Sequence, residues 1–209
     1  MHSSIYRIGG MFFETYWRSS YRRILDIGAY AVNGTLRDFR PEGAEYLGID
    51  LGEGPGVDMV LEDPYSYPFP DGHFDVVLSS SCLEHDPMFW LTFNECCRVL
   101  SESGVIYMSA PSGGVYHSYP HDFWRFYPDT GVALEKWANR SGHNIRLPES
   151  FMDHWGPLTD ARWTDFTGIF TKDPTLAVSP ALWERVDNSS DVRAGSRSPL
   201  IKQKMHCPN

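Results

Sequence analysis

The segment Ile24-Leu25-Asp26-Ile27-Gly28, answered further on by Tyr46-Leu47-Gly48-Ile49-Asp50, restricts what this chain can fold into more than any other feature. Apolar residues running through Asp26 spell a buried strand and Gly28 a tight turn. The stretch behind the turn reads as a helix, and Tyr46–Ile49 as a second strand closed by an acid. One βαβ unit sets such an acid about 20 residues beyond the glycine turn. Glycine lets backbone pass close to a ligand, and a carboxylate ending the second strand suits two vicinal ribose hydroxyls. The layout is one that holds a nucleoside.

The turn decides which kind. A pyrophosphate needs bare amides at a helix N-terminus, which spaces three glycines as G-x-G-x-x-G. Here Tyr30 and Asn33 occupy the second and third glycine positions, so a diphosphate meets side chains where it needs N–H groups. That disfavours a redox nucleotide enzyme. An uncharged adenosine carrying a methionine tail tolerates the same turn better.

Further acids follow in order. Val57–Asp63 reads as a third strand ending in a carboxylate, and the turn Tyr67–Gly72 feeds a fourth, apolar strand from Phe74. With these residues in place, the chain resembles the class I S-adenosylmethionine-dependent methyltransferases, in particular their type 11 small-molecule group. The resemblance spans Arg22 to Lys172. It rests on Asp26-x-Gly28, Asp50, Asp63 ahead of Pro68-Phe69, Phe74-Asp75-Val76-Val77, Leu83-Glu84-His85 and Arg98-Val99-Leu100.

The resemblance implies a Rossmann-like α/β fold: a doubly wound, mostly parallel seven-stranded sheet with helices on both faces. It implies S-adenosyl-L-methionine as cofactor, and methyl transfer to an oxygen or nitrogen of a small polar metabolite, such as a sugar or natural-product intermediate, by in-line displacement. Asp26, Gly28, Ala29 and Tyr30 would then face the methionine moiety. Asp50 with Leu51 would take the ribose, and Asp63 with Pro64 the adenine. Ser80 and Ser81 would border the sulfonium, and His85 the site. Two departures stand out: Tyr30 lies across the cofactor or swings away from it, and Pro64 has no N–H to offer the adenine ring, so Tyr65 or water substitutes. Asp75 is expected to cap a turn.

Elsewhere the pattern predicts helices over Met11–Arg18, Asp86–Leu100 and Asp129–Ser141. Strands are expected over Gly104–Ser109, Asn144–Phe151 and Trp163–Lys172, with a turn of helix at Ala181–Val186. One methyltransferase domain covers 1–173, with its core at 22–173, and a partly loose extension covers 174–209. Only a short segment precedes the first strand, so substrate recognition is expected from the loop after strand five, from Met152–Arg162, or from a second subunit in a homodimer.

That loop, Pro111–Pro128, is too long, aromatic and ionisable for a connector. In-line displacement needs an aligned acceptor, excluded water and a base, and histidine is the natural base near neutral pH. His121 with Asp122, or His117, is the candidate base, while Tyr116, Tyr119, Trp124 and Arg125 line the substrate pocket. The plainer alternative is a plug in which Trp124 packs and Arg125 pairs with an acid. Glu84-His85-Asp86 and His117-x3-His121-Asp122 also collect metal-type ligands on loops expected to meet. The reading adopted is nevertheless metal-free, zinc being disfavoured because no cysteine pair has ligand spacing.

Composition enters by exclusion. With 18 basic against 27 acidic residues, the formal charge of −9 repels a phosphate backbone and argues against nucleic acid. Four cysteines without a framework point to a reducing cytoplasm, and no apolar run is long enough for a bilayer. The competing function is a cofactor-binding partner or sensor that keeps the fold without turnover.

Overall fold

Residues 3–154 and 163–201 are described by a computed structural model of the chain. Eight strands form one sheet in the order β3-β2-β1-β4-β5-β7-β6-β8. They are β1 (Arg23–Ile27), β2 (Glu45–Asp50), β3 (Met59–Val60), β4 (Phe74–Ser80), β5 (Leu100–Gly113), β6 (Arg146–His154), β7 (Thr164–Thr171) and β8 (Ser189–Arg193). The helices are α1 (Ser3–Tyr16), α2 (Phe89–Val99), α3 (Pro128–Arg140) and the single turn α4 (Leu182–Arg185). β1 to β5 pair in parallel, β7 enters antiparallel between β5 and β6, and β8 is antiparallel to β6.

Apolar residues on both faces of the central strands explain the layering, because a parallel sheet must be covered twice. Leu25, Val77, Ile106 and Met108 pack with Phe93, Cys96 and Cys97 of α2 and Leu134 of α3. Ile24, Val76, Leu78, Val105 and Tyr107 pack with Ile8, Phe12 and Tyr16 of α1. Successive residues of one strand therefore feed opposite cores, the alternation a pleated strand imposes. From β1 the chain winds outward to β2 and β3, then returns to β4 on the other side. This puts the reversal of strand order, and the crevice it opens, at the carboxyl ends of β1 and β4.

Several expectations need correcting. The expected helix after Gly28 is only the 3₁₀ turn Leu36–Phe39, capped by Thr35 Oγ1 accepting from the Arg37 amide at 3.2 Å. Pro41 pushes Arg40 into extended backbone, and the turn cannot grow. The third strand shrinks to two residues, because Asp58 bends back to accept from the Gly48 amide at 2.7 Å. α1 begins eight residues before the expected Met11. α2 begins at Phe89 rather than Asp86, whose carboxylate stays outside and accepts from the Met88 amide and the Thr92 hydroxyl.

Residues from 187 onward were expected to be loose. They instead supply β8, making an eighth strand that buries Val192, and Ile201 bridges back to Val192. The signal was weak because Ser189-Ser190-Asp191 is polar, yet Ser189 and Ser190 are buried there. Residues 155–162 of the expected recognition segment, and the tail beyond 201, lie outside the described residues. Among the described residues, no helix is long and apolar enough to cross a membrane.

Gly28 carries the tightest local demand. Its φ is +72°, and a Cβ built there would stand 2.5 Å from Cys82 Cβ and Sγ. Gly28→Ala should therefore cost about 2–4 kcal/mol, left-handed strain plus overpacking. Urea unfolding measures the loss, and Cys82→Gly in the same background should restore part of it by removing the clash.

Candidate active site

The first half of the site lies where β1 and β2 end. Both the Gly28 and Ala29 amides donate to the Ile49 carbonyl, at 3.0 and 3.1 Å. Gly28 thus serves the protein's own packing against Cys82 and Ile49, rather than leaving bare backbone for a ligand. Asp50 follows at the rim: its Oδ2 accepts from the Tyr30 amide at 3.1 Å and its Oδ1 from the Leu51 amide at 2.7 Å. These bonds aim the carboxylate and leave it lone pairs for two hydroxyls. Leu51 beside it is 60% exposed, an apolar surface suited to a flat ring. Tyr30 swings away, its ring covering Gly54.

Asp26 points the other way. It is 5% exposed and accepts from the Tyr46 hydroxyl at 2.7 Å. Burial raises its carboxyl from 3.8 to about 7, against the opposing pull of the Tyr46 hydrogen bond and Arg37. It supports the crevice from behind, with a partner, Tyr46, that no spacing in the sequence announces. Asp63, at the exposed far side, accepts from the Tyr65 amide at 2.8 Å, and the Tyr65 hydroxyl donates to Asp86 Oδ1 at 2.8 Å. Tyr65 is thus braced beside the amide that Pro64 lacks. Asp75, expected to cap a turn, lies within β4 and instead accepts from the Arg22 and Arg23 amides at the start of β1, at 2.7 and 3.1 Å.

The second half gathers after β4 and β5. Ser80 ends β4, and Ser81 takes a left-handed φ of 50° while its amide donates to Ser109 O at 2.9 Å. The chain then turns through Leu83–His85. The long loop comes back to meet it: the Phe123 and Trp124 amides donate to the Glu84 carbonyl, the Trp124 indole donates to Asp86 O, and the Phe126 amide donates to Pro111 O. His85 Nδ1 donates to the His121 carbonyl. His85 and His117 stack edge to face with centroids 5.1 Å apart, and His85 Nε2 lies 3.7 Å from Glu84 Oε1.

The pairing expected between His121 and Asp122 is not the one formed. Asp122 holds His117 instead, its Oδ2 accepting from the His117 amide at 2.9 Å and lying 3.3 Å from His117 Nδ1. Arg125 forks onto Asp122, which keeps that carboxyl well below its usual range, and also donates to Val115 O. Arg125 therefore organises the loop. Trp124 packs on Phe89 and Trp90, and the His121 ring lies on Phe123. Tyr116 and Tyr119 stand 76% and 73% exposed at the loop tip.

Glu84 enters the sequence reading only within the resemblance motif Leu83-Glu84-His85 and the candidate metal-ligand group Glu84-His85-Asp86. It is 1% exposed, and burial raises its carboxyl from 4.5 to about 8. Its Oε2 has no hydrogen-bond partner among the described residues. Cys82 joins the two halves: it touches Gly28, and its thiol is raised by burial and next by the Glu84 carboxylate.

Because Asp26 and Glu84 have folded pKa values above the usual carboxylate range, the native state holds their protons more tightly than the unfolded chain. The stability they contribute is complete below about pH 4 and is lost as pH rises through 7 and 8. Thermal unfolding should show Tm falling between pH 5 and 8. Asp26→Asn, which cannot ionise, should flatten that slope; an unchanged slope would show that Asp26 does not set it.

The family described as "Methyltransferase domain" matches residues 25–108. A protein named "Uncharacterized methyltransferase" from Mycobacterium sp. (strain JLS) is 30% identical over 136 residues, which are 58% of this chain and 52% of that protein. A "Fatty-acid O-methyltransferase" from Mycolicibacterium smegmatis is 32% identical over 97 residues, 40% of this chain and 35% of that protein. The chain thus spans about half the length of the Mycobacterium sp. relative. Among solved structures, the Burkholderia thailandensis 1,6-didemethyltoxoflavin-N1-methyltransferase, with bound 1,6-didemethyltoxoflavin and S-adenosylhomocysteine, aligns with a TM-score of 0.61 at 15% identity. The alignment covers 82% of this chain and 79% of that one, a likeness of fold. Residues 25–108 thus match a methyltransferase domain, and the sheet shares the fold of solved methyltransferase structures.

Proposed function

We propose that the chain methylates an oxygen or nitrogen of a small polar metabolite, using S-adenosylmethionine held at the β1–β2–β4 crevice. One observation carries the reading: an aimed, accessible carboxylate at Asp50 and a cluster of imidazole and carboxylate groups after β4 and β5 share one end of the sheet, joined through Cys82. The donor set fits the cofactor. Asp50 offers acceptors for the ribose, Leu51 an apolar face, and Asp63 with Tyr65 a polar rim for the adenine. The cofactor supplies a methyl group on a positively charged sulfur.

The chain's own residues do the rest. Asp122 fixes the His117 ring through its Nδ1 side, leaving Nε2 to face an acceptor, so His117 replaces His121 as the residue that activates it. Phe123 and Trp124, pinned to Glu84, close the floor against water. Tyr116 and Tyr119 supply an open, aromatic mouth that meets the acceptor. The overall negative charge favours acceptors without phosphate chains, and nucleic acid is not among the proposed substrates. A cofactor-binding partner without turnover is the second reading, favoured by the Gly28 and Ala29 amides being spent on Ile49.

Calorimetry with S-adenosylmethionine, its demethylated product and NAD should show binding of the first two alone. Asp50→Ala should weaken that binding at least about 100-fold, the lower bound for two hydrogen bonds to a charged group; unchanged affinity would refute the ribose assignment. With methyl-labelled cofactor and a metabolite extract, His117→Ala should lower label transfer about 100-fold at nearly unchanged cofactor affinity, and His121→Ala less than about 10-fold. Binding without any transfer by the parent protein would favour the second reading.

A further inference from the structure

We infer that Glu84, His85 and His117 form a binding site for one divalent transition-metal ion of the zinc type, set at the acceptor side of the crevice. One ligand atom from each of the three residues lies within 4.8 Å of the others. The closest pair, Glu84 Oε1 and His85 Nε2, is already at 3.7 Å. In a tetrahedral site with metal–ligand bonds of about 2.0–2.1 Å, ligand atoms stand about 3.3 Å apart. The set is therefore slightly open for a tetrahedral ion and draws inward to hold one.

Two independent observations separate this cluster from chance proximity. The first concerns the outer ring nitrogens. His85 donates from Nδ1 to the His121 carbonyl, and His117 donates from Nδ1 to the Val115 carbonyl at 3.3 Å, with Asp122 Oδ2 also 3.3 Å from that nitrogen. Both rings are thereby fixed in the tautomer that bares Nε2, with a carbonyl behind one and a carbonyl and a carboxylate behind the other, as metal-binding imidazoles are held. Asp122 is held in turn by Arg125, so the support extends one shell further. The second is Glu84 Oε2, a carboxylate oxygen in a side chain 1% exposed and without a hydrogen-bond partner among the described residues. A buried carboxylate is costly unless something pairs with it, and a cation is the partner that suits it best.

The ligand chemistry selects the metal. Two imidazoles and one carboxylate suit zinc or iron(II), whereas magnesium and calcium prefer oxygen ligands. Three protein ligands leave an open position, the arrangement of a working rather than a structural ion. The site departs from the metal-free expectation drawn from the sequence, in which these groups read as metal-type ligands and zinc is set aside for want of a cysteine pair. Its role rests on the methyl-transfer reading; its existence does not. In that role His117 acts as a metal ligand and not as the base, an acceptor hydroxyl takes the open position, and its pKa falls. The proton leaves to solvent, and the oxygen lone pair forms the new bond to the methyl carbon. The carbon–sulfur bond breaks with its electrons going to sulfur, leaving a neutral thioether.

The test is zinc binding by the full-length chain, stripped with chelator and titrated with zinc ion against a chromophoric competitor. One zinc per chain is expected. His117→Ala and Glu84→Gln should each weaken it at least about 100-fold, and Asp122→Asn, which only orients His117, by about 10- to 100-fold. Cobalt(II) should occupy the same site in the parent protein and give visible absorption bands that His117→Ala abolishes. His117 and Asp122 are on a surface loop, so loss through misfolding is checked by circular dichroism, and Glu84→Gln is not the sole probe. Failure of the parent protein to bind zinc, or equal binding by a His85→Ala/His117→Ala double variant, would overturn the site. S-adenosylmethionine calorimetry on the same samples separates the two claims. Cofactor binding without zinc binding ends the metal site and leaves methyl transfer standing. Zinc binding without cofactor binding keeps the site and removes its role.

Discussion

The Ile49 carbonyl that accepts from both the Gly28 and Ala29 amides is the contact on which the rest of the site depends. It binds the end of β1 to the end of β2 just where both strands stop, and it forces the left-handed turn at Gly28. That turn brings Cys82, and with it the whole segment following β4, against the first strand. The Tyr30 amide is then carried to Asp50, which stops the carboxylate from rotating. Three strand ends are thereby tied by a few short bonds.

Electrostatics in the site divide into two regimes. Asp26 and Glu84 are buried with little compensating charge, and their carboxyls move up toward neutrality. Asp122 is clamped by a guanidinium, and its carboxyl moves down. Carboxyls set apart in this way near one crevice divide the labour: one kind keeps its charge to orient an imidazole, the other waits for a proton or a cation.

The sequence conveyed the fold best where packing is periodic. β1, β2, β4, α3 and β7 fall close to their expected places, because their apolar runs must fill two cores and tolerate few alternatives. It failed where a few polar residues decide the course. Pro41 and Thr35 keep the stretch after Gly28 from becoming a helix, and Asp58 shortens β3 by bending back to Gly48. β8 was hidden because an edge strand of serines has no hydrophobic signature. In the site, Asp50 and the loop from Pro111 were legible from position. The partner of His117 was not: Asp122 is five residues away and meets it only because the loop doubles back, while the adjacent His121 turns outward. Glu84 stood only in a resemblance motif and a candidate group of metal-type ligands, and its burial in the folded chain is what sets it apart.

The returning half of the long loop is riveted to the Glu84 carbonyl by two successive amides and to Asp86 by an indole. A hinged cover over the crevice would have to break all of them at once, so any opening is confined to the outer finger from Gly114 to Pro120, with Tyr116 and Tyr119 on it. Such a finger grips a molecule from one side and leaves the other open. The crevice is therefore bordered by one fixed wall and one adjustable tip.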